Sequence, residues 1–106
     1  MGFESIDAYV AGVGGRRLAE GEWGLDVDGL EVGLRVVRGL LRAQAWAAPS
    51  SDPDVLLRRN RSLELVRYAT TKSGEVWVVG DVPATEDAPV DRLLGAVVAA
   101  ALALAR

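Results

Sequence analysis

The chain has 106 residues, half of them apolar, and a formal net charge of −3. That length fits one compact domain, expected to span residues 1–106, and the apolar share excludes a disordered chain. Cysteine and histidine are both absent, which excludes disulfides, thiolate metal sites, Ser-His-Asp and Cys-His nucleophiles, and the commonest transition-metal ligand.

The N-terminal "MGFESIDAY" lacks the basic start and apolar run of a secretory signal. Ile6 stands where a myristoylation signal needs Ser or Thr. Ile6, Tyr9, Val10 and Val13 recur at helical spacing, so residues 4–12 are predicted to form a short helix stopped by Gly12 and Gly14-Gly15. The "GVGG" that follows is a helix stop and link. A phosphate-binding glycine loop would follow a strand and open a helix.

From residue 22 the period changes to two. Trp23, Leu25 and Val27 alternate with Glu22, Gly24 and Asp26 up to Asp28-Gly29, a two-residue hairpin signal. Leu30, Val32, Leu34 and Val36 then alternate up to a second tight turn at Arg38-Gly39, and a third strand is expected over Leu40–Ala47. Pairing Val27 with Leu30 and Val37 with Leu40 puts Trp23, Leu25, Val32, Leu34, Leu41, Ala43 and Ala45 on one face. Glu22, Asp26, Glu31, Arg35, Arg42, Gln44 and Trp46 fall on the other. Both turns give the same apolar face, which a one-residue slip would destroy.

"APSSDPD" starts a second helix, with Ser51 or Asp52 as N-cap and Pro53 in the first turn. Val55, Leu56, Arg59, Asn60 and Leu63 mark its inner side, and Asn60 is expected to cap the chain's exit. A hairpin follows. Lys72-Ser73-Gly74 as its loop pairs Thr71 with Glu75. Arg67, Glu75, Trp77, Val79 and Asp81 then share one face, and Val66, Tyr68, Thr70, Val76 and Val78 the other. The last element is a helix over about Pro89–Ala105. Leu93–Ala105 carries no charge over thirteen residues, too short to span a bilayer. Apolar on nearly every side, that helix is expected to be buried on more than one side, either between the sheet and another layer or against a partner.

These elements make an α+β fold: a single antiparallel sheet, built from a meander and a hairpin, with helices on one face, in the order α-β-β-β-α-β-β-α. Leu25, Val32, Leu34, Val36, Tyr68, Val76, Val78, Leu94 and Val98 are the expected core.

Charge is uneven. Residues 1–34 hold seven acids and two bases, 35–72 eight bases and three acids, and 73–106 five acids and two bases. A basic middle could meet phosphate, but the acidic whole argues against a nucleic-acid partner. Arg58, Arg61 and Arg67 are read as solvated or paired within the chain, with the acidic first third as a candidate complement.

In "DPDVLLRRNRSLELVRYATTKSGEVWVVGDVP" and the later "VDRLLGAVVAAALAL" the chain resembles the YbjN-like bacterial proteins, which share the class I type III secretion chaperone fold. The matching residues are Leu56, Leu57, Asn60, Arg61, Arg67, Tyr68, Gly74, Asp81, Val82 and Pro83, and the similarity spans residues 22–106. The resemblance implies a small acidic dimer without catalysis that holds an unfolded segment of a client, partly by strand addition and partly in apolar grooves.

The function expected is therefore a non-enzymatic protein-binding module, chaperone-like or regulatory. It would be a cytoplasmic homodimer with a protein or peptide partner, and without cofactor, metal, membrane or nucleic acid. Its candidate contact residues are Trp46, Trp77, Val37, Leu40, Val79, Arg35 and Arg42 on the outer sheet face, with Glu31 and Glu75 at the rim. The alternative is a small carboxylate-based metal- or ligand-binding domain built on Asp26, Asp28 and Glu31. "DVDGLE" resembles a fragment of a calcium loop but lacks the remaining ligands.

Overall fold

The structure is a computed structural model that describes residues 3–105. It contains α1 (Glu4–Gly12), β1 (Arg16–Ala19), β2 (Glu22–Val27), β3 (Leu30–Val37), β4 (Leu40–Ala48), α2 (Pro53–Asn60), β5 (Val66–Thr70), β6 (Val76–Pro83) and α3 (Val90–Ala105). The strands form one antiparallel sheet in the order β1-β2-β3-β4-β6-β5. The α+β class is as expected, with one strand more than the sequence pattern announced.

That strand is β1. All four of its residues are exposed, so it lacks the buried-exposed alternation that marks a strand. Its register also shifts between Arg17 and Ala19. It returns to β2 through Glu20-Gly21, where Gly21 has φ 73°.

The meander turns are as expected. Asp28 and Gly29 have φ 53° and 82°, Arg38 and Gly39 52° and 78°. Two successive positive φ angles make the turn whose twist matches the strands it joins. Val27 pairs with Leu30 and Val37 with Leu40. Thr71 N–H donates to the Glu75 carbonyl, closing the last hairpin as expected.

Every helix covers the same side of the sheet. Ile6 and Val10 of α1, Leu56 of α2 and Leu93, Leu94, Val97 and Val98 of α3 join Trp23, Leu25, Val32, Leu34, Leu41, Tyr68, Val76 and Val78 in one core. Val36 packs against this core half-buried. Trp23 donates its indole N–H to Asp7 at 2.7 Å and meets the Phe3 ring edge-on at 5.9 Å. Tyr9 donates its hydroxyl to Asp91 at 2.8 Å, tying α1 to the start of α3. Burial and the Asp91 carboxylate push the Tyr9 phenol up to about 12.

The first helix spans Glu4–Gly12 as expected, and Val13 beyond it is 48% exposed. Within the chain the last helix is covered on one broad face, and Gly95, Ala99, Leu102 and Ala103 are exposed. Two expectations need correction. Asn60 does not cap the exit of its helix. Its side-chain carbonyl accepts from Tyr68 N–H at 2.7 Å and its NH₂ donates to the Tyr68 carbonyl at 3.2 Å, pairing the free edge of β5. Among the described residues the basic middle forms no ion pair with the acidic first third. Arg67 reaches Asp81 at 3.7 Å, and Arg59 donates to the Ala103 carbonyl at 3.2 Å near the end of α3, where a cation offsets the helix dipole.

The N-cap choice resolves to Asp52, whose carboxylate accepts from Asp54 N–H at 2.9 Å, with Pro53 opening the helix.

Candidate functional site

With the helices on one side, the other face of the sheet is left open among the described residues. Its occupants follow from the register. Trp46 pairs directly with Trp77, and Trp77 with Ala69. Next along the strands, Gly24, Gly33, Gln44, Val79 and Arg67 form one transverse row. Glu22, Arg35, Arg42 and Asp81 form the row beyond it. Val37, Leu40 and Pro83 form the last.

All seven candidate contact residues therefore share this face, but they do not form one patch. Trp46, Trp77 and Val79 cluster. Val37 and Leu40 lie at the other end of the strands, six residues along β4 from Trp46, or about 20 Å, with the charged row between. Trp46 is 43% exposed and Leu40 38%; Trp77, Val79 and Val37 are half-buried. Trp46 donates its indole N–H to Glu75 at 3.0 Å, which places that rim residue against the aromatic pair. The Trp77 indole nitrogen is buried and meets no hydrogen-bond partner among the described residues.

Sequence reasoning missed Leu18. It is 57% exposed, and it leans over Gly24 from β1.

The charged row is mostly self-satisfied. Arg42 grips Asp81 through two hydrogen bonds of 2.8 and 3.3 Å. The hydrogen bond from Arg42 is the largest influence holding the Asp81 carboxyl below its usual range; the charges of Arg42 and Arg67 add to it, and partial burial opposes it. A carboxyl depressed in the folded state stabilises the fold above its unfolded value of about 4, and that contribution disappears as pH falls through the lower folded value. Asp81→Asn should accordingly lower the melting temperature at neutral pH, by roughly 1 kcal/mol in stability. The gap between variant and parent should close as the pH falls below about 4 and through the lower folded value. A gap that stays constant over that range would show that the pair contributes nothing through its charge.

Two of the three carboxylates of the metal alternative, Asp26 and Glu31, have partners of their own. Asp26 accepts from Gly29 N–H at 2.9 Å within the hairpin, and Glu31 faces Arg16 at 3.8 Å. Among the described residues no three acidic side chains come together in a way that could hold a cation.

No family model matches the sequence, and no curated protein matches it. Among solved structures, the chain is similar to the type III secretion chaperone SycH of Yersinia pestis, solved in complex with a stable fragment of YscM2. The TM-score is 0.69 at 17% identity, over 95% of this chain and 97% of that one. The chain shares that chaperone's fold. At that identity the likeness extends to the architecture: one antiparallel sheet with helices on a single face. Among the described residues no helix is long and apolar enough to cross a membrane.

Proposed function

We propose that this chain is a non-enzymatic, chaperone-like protein-binding module of the YbjN-like kind. In this reading it is one domain, acts in the cytoplasm as a homodimer, and holds a peptide or protein partner on the open face of its sheet. The observation that carries the proposal is the adjacent pair of exposed Trp46 and half-buried Trp77, on a face that no helix crosses among the described residues. One exposed tryptophan is ordinary. Two in register, backed by Val79 and approached by Leu18, make an apolar patch of a kind that monomers seldom leave open, in the residue type most enriched at binding hot spots. The chaperone of the same fold was solved with a protein fragment bound, which supports a protein as the partner class.

The test is a variant that removes the patch and spares the fold. Trp46→Lys sets an ammonium beside Glu75, and Trp77→Thr keeps a β-branched strand former. The double variant should melt within about 1 kcal/mol of the parent. It should also lose its self-association by light scattering, or the partner that co-purifies with the parent. Unfolding would show that the tryptophans belong to the core, and unchanged assembly would place the contact elsewhere.

A further inference from the structure

The three helices are not held equally. α1 buries Ile6 and Val10, and Asp7 and Tyr9 tie it to β2 and α3. α3 lines the core from Val90 to Ala101. α2 buries one side chain, Leu56, and has eight residues, too few for a helix to persist in water without packing. Its outer side presents Pro53, Asp54, Leu57 and Arg58 to solvent. What else holds it is polar and superficial. Arg59 donates to the Ala103 carbonyl at 3.2 Å, and Glu64, beyond the helix, faces Arg92 at 3.7 Å. Both contacts are exposed, and exposed ion pairs contribute little. The remaining tie is the pair of bonds from Asn60 to Tyr68.

β5 is anchored differently. It pairs with β6 from Val66 to Thr70, and the buried Tyr68 donates its hydroxyl to the Ala100 carbonyl of α3. Leu65, just before the strand, has φ 66°, and its carbonyl lies close over Gly80. The chain is therefore fixed to the sheet from Leu65 onward, while the helix before it is not. Segments with few buried apolar contacts and exposed hydrogen bonds are those that open locally. We infer that residues 53–64 form a strap that opens as a unit from an otherwise intact fold, and that this opening bares both main-chain groups of Tyr68 on the outer edge of β5. Asn60 supplies the amide that a neighbouring strand would supply, and it is carried on the least anchored of the three helices. The strap lies across the sheet from the proposed binding face, so the two readings stand or fall separately.

Hydrogen exchange of the intact chain, followed amide by amide by NMR, tests this. The Tyr68 N–H, which donates to Asn60, should exchange together with the amides inside α2. Both should exchange at least about tenfold faster than the amides of Ala45 and Val78, paired at the centre of the sheet. Urea below the unfolding transition should speed Ala45 and Val78 and barely change Tyr68 and α2, because a local opening exposes little surface. Leu34→Ala weakens the core away from the strap. It should speed Ala45 and Val78 at least about tenfold and leave Tyr68 and α2 at their parental rates. The urea series makes the same distinction if that variant does not fold. Asn60→Ala should speed the Tyr68 amide at least about tenfold. If Tyr68 follows Ala45 and Val78 in urea or in Leu34→Ala, the edge opens only with the whole fold and the inference is overturned. It is overturned equally if α2 exchanges fast while Tyr68 stays protected, because the helix then frays without releasing Asn60. An unchanged Tyr68 rate in Asn60→Ala would remove Asn60 as the cover and overturn it as well.

Discussion

Gly80→Ala should cost roughly 3 kcal/mol, a large loss for one added methyl group. Gly80 lies in β6 between Ala43 and Val66. A Cβ there would come within 2.6 Å of Val66 Cγ1, 2.8 Å of the Leu65 carbonyl oxygen and 2.9 Å of Leu93 Cδ1. None of the three can retreat cheaply. Leu65 already holds a left-handed φ of 66°, unusual for a residue with a side chain, so its carbonyl is fixed by a strained turn. Leu93 is fully buried in α3 and Val66 nearly so. Urea unfolding should show a lower midpoint. A loss below about 0.5 kcal/mol would mean that β5 and α3 can back away from the sheet together. Gly33 gives the internal contrast: in the same sheet, on the opposite face, the same added carbon meets ordinary contacts.

The second large effect is Leu34→Ala, expected to cost about 2–5 kcal/mol. Leu34 is 2% exposed, sits between Trp23 and Ala43 in the ladder, and points into the core beneath the helices. Because Ala43 is already small, little nearby can move into the space left behind, which favours the upper part of that range. Equilibrium denaturation measures it. A loss below about 0.5 kcal/mol would mean that the two faces of the sheet are interchanged.

The faces were legible in the sequence because two glycine turns fixed the register of three strands independently and agreed. The second hairpin followed from Gly74, whose φ of 87° needs a residue without Cβ. What escaped shows the limits of pattern. β1 has no buried residue, so alternation had nothing to report; Gly21, whose φ is 73°, was the available turn signal. The helical period placed Asn60 correctly on the inner side of α2, but its bonds to Tyr68 depend on where β5 returns, which no local pattern contains. At the candidate site, Trp46 and Trp77 could be placed on one face by counting twos. Their separation from Val37 and Leu40 could be counted too, but the charged row between them became a barrier only once Asp81 was seen gripping Arg42. Leu18 escaped because it lies on β1, the strand that was not foreseen.

The bonds of Asn60 to Tyr68 have a consequence for crowded solution. An outermost strand with free amides is a template on which another chain can grow, the first step toward fibrous aggregates. Here the Asn60 amide occupies both main-chain groups of Tyr68 on β5. The opposite border carries two guanidiniums, Arg16 and Arg17, on a strand of four residues with a shifted register. Short, charged and irregular margins discourage sheet-to-sheet fusion. The molecule is thus protected at both ends of its sheet against polymerising with its own copies, and an asparagine that looks like an ordinary helix terminator is one of the two guards.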